Sequence, residues 1–271
     1  MFSTPPNKIL LDLGVISIHW YGLLVVAGFF LGLLVLVQLF KKYKLPVDEA
    51  YDLFFYTILF GLLGARIYYV AYAWSYYATH PTDIVKIWQG GLAIHGAIIA
   101  AVLTVYFYSQ RKGWNPWKIT DLVATGVPIA MALGRWGNYF NQELFGTPTD
   151  LPWGIPIDLA NRPEQYVNFS RFHPTFLYES LLDLCLFALL LLMHRRRLQS
   201  KQGEGRGYGA GNVTLVFLFG YSFIRFLMEF FRTDYSPVWL DLRWAQLLSL
   251  VIMMVIVVVT LWKFIKQKTA E

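Results

Sequence analysis

The sequence predicts an all-α integral membrane protein of about seven transmembrane helices, with a small extracytoplasmic cap between the fourth and the fifth. Its residues are 56% apolar and only 15% charged, where an ordinary soluble domain carries roughly 25% charge. Apolar windows of about 18 to 23 residues recur, each able to cross a hydrocarbon core of about 30 Å at 1.5 Å per residue. The basic residues gather in alternate short loops, as the positive-inside rule expects of a chain dissolved in a bilayer.

The first window runs from Ile18 to Phe40 and holds Gly28 and Gly32; the second runs from Ala50 to Tyr72 with Gly61, Gly64 and Arg66. Small residues four apart allow two helix backbones to approach closely. The other windows are Leu92 to Tyr108, Ile119 to Arg135, Thr175 to Met193, Asn212 to Phe231 and Ala245 to Phe264, of which the third and fourth are short. Met1 to Ser17 carries one lysine and no small-residue cleavage pattern, so the first helix is expected to remain rather than be removed as a signal peptide. Cys185 is the only cysteine, which excludes an intrachain disulfide and a thiolate zinc site; its place in an apolar run predicts a small core residue. No internal repeat stands out, and residues 1–271 are expected to form a single polytopic membrane domain.

The net charge of +6 could suggest nucleic acid, but its distribution fits membrane topology better. Fourteen basic residues follow the first, third, fifth and seventh windows, and six lie in the opposite segments. The N-terminus is therefore expected outside and the C-terminus inside, which requires an odd number of crossings. On the outer side, 136–174 is the longest non-helical stretch, with prolines at 148, 152, 156, 163 and 174; it reads as the cap, with short strands around Trp153 to Ile157. The inner loop Gln199 to Gly211 reads as a flexible connector. Arg66, Arg135 and Arg225 fall within or at the outer ends of apolar runs. An arginine at mid-membrane costs roughly 2.5 to 3.5 kcal/mol on an insertion scale, so each should face protein, water or a lipid headgroup.

Polar side chains concentrate in GRWGNYFNQELFG, where Arg135, Asn138, Asn141, Gln142 and Glu143 fall between Gly134 and Gly146. Glycine permits a tight backbone or a close approach, and arginine offers a planar fork of donors suited to phosphate. A polar helix cap at the interface accounts for the same residues. Arg225, Glu229 and Arg232 follow i, i+4, i+7 spacing and are expected on one helical stripe, serving either lipid phosphate or an internal ion pair. His95, in WQGGLAIHG, is either a packing residue or a general base, since its free pKa is about 6.5. His19 and Tyr21 in HWYG, and His173 and Glu179 in HPTFLYE, belong to the same outer side.

GRWGNYFNQELFG closely resembles the signature of bacterial prolipoprotein diacylglyceryl transferases, Gly-Arg-x-Gly/Ala-Asn-Phe, an apolar residue, then Asn-x-Glu-x-x-Gly. Tyr139 stands where that family usually has Phe. HWYG, GGLAIHG, HPTFLYE and RFLMEFFRTD resemble further family segments in the family's order, so the likeness covers nearly the whole chain. The resemblance implies an enzyme of the bacterial plasma membrane, a transferase with no cofactor and no metal, working at the outer leaflet. Its expected partners are phosphatidylglycerol and the lipobox cysteine of a prolipoprotein signal peptide, in a first step of lipoprotein maturation; a monomer is expected, and no nucleic acid. It implies Arg135 and Arg225 as phosphate-binding catalytic residues and His95 as the group that accepts or steers the thiol proton. Tyr21, Asn138, Asn141, Glu143, Gly146, Glu179, Glu229 and Arg232 are implied to bind substrate or hold the arginines. The alternatives are a transporter, which would place polar groups at both mouths or the midplane, and another headgroup enzyme, which would want carboxylates around a divalent cation.

Overall fold

A computed structural model describes residues 5, 7–14, 17–199 and 209–269. The helices are α1 (Trp20–Lys42), α2 (Val47–Tyr72), the short α3 (Trp74–Tyr77), α4 (Ile94–Arg111), α5 (Pro116–Asn141), α6 (Thr175–Gln199), α7 (Asn212–Met228) and α8 (Trp244–Thr269). Strands are confined to three two-stranded antiparallel pairs: β1 (Ile9–Asp12) with β2 (Ser17–His19), β3 (Ile155–Pro156) with β4 (Arg171–Phe172), and β5 (Val238–Trp239) with β6 (Leu242–Arg243). Helices thus occur at all seven expected places. Among the described residues four are long and apolar enough to cross a membrane: α1, α2, α6 and α8 over Trp244–Lys266. The protein is a mostly helical membrane protein.

The chain divides into two compact units, residues 33–123 and residues 1–32 with 124–271. Within 33–123, Leu36, Val37 and Phe40 from α1 are buried with Ala50 and Leu53 from α2, Val105 from α4 and Ile119 and Leu122 from α5. Here α2 and α4 pack through glycine: a Cβ added at Gly64 would meet the Gly96 carbonyl at 2.6 Å and the Ala100 methyl closer still. Within the other unit, a Cβ at Gly28 would lie 2.9 Å from the Ala130 carbonyl and one at Gly126 2.9 Å from that of Gly32, so α1 and α5 meet backbone to backbone. Leu186, Leu190 and Met193 of α6 are buried with Val213, Ile224 and Met228 of α7. A separate cluster of Phe145, Ile155, Ile157, Phe172 and Phe176 underlies the β3–β4 pair; β3 falls in the stretch around Trp153 to Ile157 expected to carry strands, and β4 lies outside it.

Several expectations are corrected. The fourth apolar window was placed to end at Arg135, yet α5 runs on to Asn141, because polar side chains do not stop a helix whose neighbours satisfy them. The sixth was placed to reach Phe231, yet α7 ends at Met228 and Arg232 forms a β-bridge with Gly146. Arg232 is therefore not on the helical stripe of Arg225 and Glu229. Cys185 is exposed rather than in the core. It shares the outer surface of α6 with exposed Leu181, Leu184, Leu189 and Leu192, and in a membrane protein an apolar exterior faces lipid. The inner connector lies for residues 200–208 outside the described residues.

Gly64→Ala should destabilise the protein by about 1–3 kcal/mol, because overpacking forces α2 and α4 apart. Gly22→Ala, where nothing lies within 4 Å of an added Cβ, should not. Thermal unfolding of the two variants in one detergent measures the difference.

Candidate active site

Because α5 continues to Asn141, Arg135 and Asn138 are neighbours one turn apart on a helix. The chain then reverses through Gln142 and Leu144, whose φ angles of 51° and 54° are left-handed. Such a conformation costs a side-chain-bearing residue about 1–3 kcal/mol and persists only where the surroundings impose it. Between them Glu143 is held tightly. Its Oε1 accepts from Asn138 Nδ2 at 2.9 Å and Asn141 Nδ2 at 3.2 Å, and its backbone N–H donates to the Asn138 carbonyl at 3.0 Å. Gln142 closes the loop onto the cap, donating to Asp158 Oδ2 and accepting from the Asp158 N–H, each at 2.7 Å.

Gly137 and Gly146 serve close approach rather than a left-handed backbone. Gly137 lies directly under the Tyr21 ring, and a Cβ at Gly146 would come within 2.7 Å of His173 Cβ and 3.1 Å of the Phe231 carbonyl. Gly134 has nothing within 4 Å. Trp20 stacks on Phe140 at 4.7 Å, so the start of α1 lies against the end of α5.

Around this motif the charged side chains form one alternating series. Arg135 Nε is 2.6 Å from Glu179 Oε2; Glu179 Oε1 is 3.9 Å from Arg232 Nη1. Arg232 Nε is 2.8 Å from Asp234 Oδ1, and Asp234 Oδ2 is 3.7 Å from Arg243 Nη2. Arg243 Nε is 3.0 Å from Glu229 Oε1, and Glu229 Oε2 is 2.8 Å from Arg225 Nη2. Three members are almost out of water, with side-chain exposure of 1% for Glu229, 5% for Glu179 and 6% for Arg232, whereas Asp234 between Arg232 and Arg243 is 41% exposed. The two terminal arginines stay partly open, at 21% for Arg135 and 23% for Arg225. Glu229 Oε2 lies 2.8 Å from Arg225 Nη2 without an aligned hydrogen bond.

Two members of this neighbourhood were missed from sequence. Arg243 was counted only as an outer basic residue; its link to Glu229 is made through the β5–β6 hairpin, which no local pattern reveals. Asp183 lies one turn after Glu179 on α6, buried, with neither carboxylate oxygen hydrogen-bonded among the described residues. An acid inside the Thr175 to Met193 window was a visible signal.

His95 belongs to the 33–123 unit. It is the second residue of α4, exposed, with its ring 5.9 Å from that of Tyr68. The segment before it turns through Gly90 and Gly91, at φ 91° and 76°, and is pinned by Arg66. That guanidinium donates to the carbonyls of Ile84 at 2.8 Å, Asp83 at 2.5 Å, Gly90 at 2.8 Å and Gly91 at 2.9 Å. Arg66 is thus committed to backbone, which is how a buried arginine is satisfied here. His19 is exposed and bonds its own strand at the Ser17 carbonyl. His173 lies 3.2 Å from the Tyr178 hydroxyl, and burial pushes its pKa down. Among the described residues no three His, Cys, Asp or Glu side chains gather as a metal site.

A mostly helical membrane protein with an arginine–carboxylate series in one unit is the class that fold and site define. Residues 8–262 match the family described as prolipoprotein diacylglyceryl transferase. A protein of Nostoc sp. is 42% identical over 247 residues, covering 91% of this chain and 86% of its own length. One of Synechococcus elongatus is 40% identical, with 92% and 84% covered, and one of Bacillus velezensis is 36% identical, with 97% and 94% covered. Each carries the name phosphatidylglycerol–prolipoprotein diacylglyceryl transferase. The chain belongs to the prolipoprotein diacylglyceryl transferase family.

Asp234 supplies a pH test of the series. Burial works to raise its pKa, but the Arg232 hydrogen bond and the charges of Arg232 and Arg243 outweigh it and hold the carboxyl below its usual range. A depressed carboxyl pKa contributes stability that is complete above the unfolded value, about 3.9, and lost as pH falls through the folded one. Asp234→Asn should therefore melt below the unsubstituted protein at neutral pH, and the two melting temperatures should converge below about pH 4. A gap that stays constant with pH would contradict this.

Proposed function

We propose that this protein transfers the diacylglyceryl group of phosphatidylglycerol to the lipobox cysteine thiol of exported lipoprotein precursors. The observation that carries the reading is the alternating series, in which carboxylates hold the guanidiniums and a partly open arginine stands at each end, able to meet the negative charge of a phosphodiester. Arg135 and Arg225 bind the phosphate, Glu179 and Glu229 aim them, and Asn138, Asn141 and Glu143 with Tyr21 and Gly146 shape the headgroup site. Arg232 and Asp234 join the two arms. The names of the relatives support the same substrates.

The chemistry asks for two things. A thiol of pKa about 8.5 must lose its proton, and an anion must be stabilised as it departs from carbon. The sulfur–carbon bond forms as the carbon–oxygen bond to phosphate breaks; glycerol phosphate leaves with the electron pair, and the thiol proton passes to His95. The chain acts as a monomer and as one polytopic domain crossing the plasma membrane seven times. Its N-terminus is outside, its C-terminus inside, and residues 136–174 cap the outer leaflet, where lipid and exported peptide both arrive. The charge distribution along the sequence supports that orientation.

Purified protein incubated with labelled phosphatidylglycerol should label a lipobox peptide bearing Cys and leave one bearing Ser unlabelled; no label on either would overturn the reading. Arg135→Ala should lower kcat/KM by about 10²–10³, as loss of a preorganised donor at developing charge does. His95→Gln should cost about 10²-fold, and near-normal transfer between about pH 6 and 8 would remove the proton-accepting role.

A further inference from the structure

Glu229 is placed to neutralise Arg225. The two are one helical turn apart, their charged atoms are 2.8 Å apart, and the carboxylate is almost wholly out of water. A buried Glu–Arg pair left to itself is electrically closed and attracts an anion weakly. The structure does not leave it to itself, because Arg243 Nε holds the other oxygen, Oε1, at 3.0 Å. We propose that Arg243 is a positioning residue for anionic lipid: it takes a share of Glu229 and thereby keeps the Arg225 guanidinium available to a phosphodiester. This rests on the phosphate-binding role of Arg225 given above.

Arg243 is fixed for this task by its backbone surroundings. Its Nη1 donates to the carbonyls of Arg232 at 3.0 Å and Glu229 at 3.4 Å, and its Nη2 donates to the Asp234 carbonyl. Its own N–H donates to Gln246 Oε1 at 3.0 Å, on the first turn of α8. The β5–β6 hairpin turns through Leu240 and Asp241, at φ 53° and 58°, the geometry of a two-residue turn that returns the chain at once. Thus the residue just before α8 is delivered to the carboxylate just after α7. With two arginines on Glu229 its charge is shared between Arg225 and Arg243; without Arg243 it falls on Arg225 alone. Lysine could still bring its charge to Glu229, while giving up the fork's contacts with the three carbonyls.

The test uses full-length protein in detergent and equilibrium binding of labelled phosphatidylglycerol, with phosphatidylcholine as the zwitterionic control. Arg243→Gln should weaken phosphatidylglycerol binding about tenfold, leave phosphatidylcholine unchanged, and lose most of its effect in a Glu229→Gln background, because it acts through that charge. Equal binding of phosphatidylglycerol, equal weakening for both lipids, or the same weakening in the Glu229→Gln background would overturn the proposal. If Arg243→Gln does not yield folded protein, Arg243→Lys carries the comparison: binding within about threefold of the unsubstituted protein is expected, and a tenfold or greater loss overturns it. Failure of the unsubstituted protein to transfer lipid would remove the enzymatic reading and leave this one standing. Transfer by that protein with unchanged lipid binding by Arg243→Gln would remove this one alone.

Discussion

Glu179 and Glu229 keep 5% and 1% of their side-chain surface in contact with solvent. A carboxylate so far from water is strongly destabilising unless a cation lies against it, and breaking such a pair typically costs about 3–5 kcal/mol. Much of the unit made of residues 1–32 and 124–271 can be understood from that requirement. α5 stays helical past Arg135, so that this arginine is carried on a rigid element to Glu179. The chain leaves α7 at Met228, bridges Gly146, and so brings Arg232 toward Glu179 and Asp234. The hairpin before α8 supplies Arg243. Two departures from plain helix in this unit, the bridge at Gly146 and the β5–β6 hairpin, bring a guanidinium toward a buried acid.

The series is also economical as a ligand site. Arginines lie against the buried Glu179 and Glu229, while Arg135 and Arg225 themselves remain partly open. Preorganised charge of this kind need not reorient when an anion arrives or when charge develops during bond cleavage. Gly137 and Gly146 fit the same design, since side chains there would displace Tyr21, His173 or the Phe231 carbonyl.

Much of this was readable in advance, for physical reasons that also explain what was not. Apolar windows located the helices because membrane crossing is a local, additive property of about twenty residues. Helix ends were misplaced where polar residues continue a helix, as after Arg135, or where periodic spacing outlasts it, as at Arg232. The site motif was conspicuous because Arg135, Asn138, Asn141 and Glu143 are packed into a few residues. Arg243 was not, because its role exists only once the hairpin closes. Asp183 was visible but passed over, while Cys185 was misjudged because burial rules learned from soluble proteins invert at a lipid-facing surface.

The central claim is that Arg135 and Arg225 hold one phosphodiester between them. An experimentally determined structure of the protein with phosphatidylglycerol bound tests it most directly. The account predicts phosphate oxygens within hydrogen-bonding distance of both guanidiniums, with the Glu179 and Glu229 pairings retained. A lipid phosphate bound away from either arginine would contradict it.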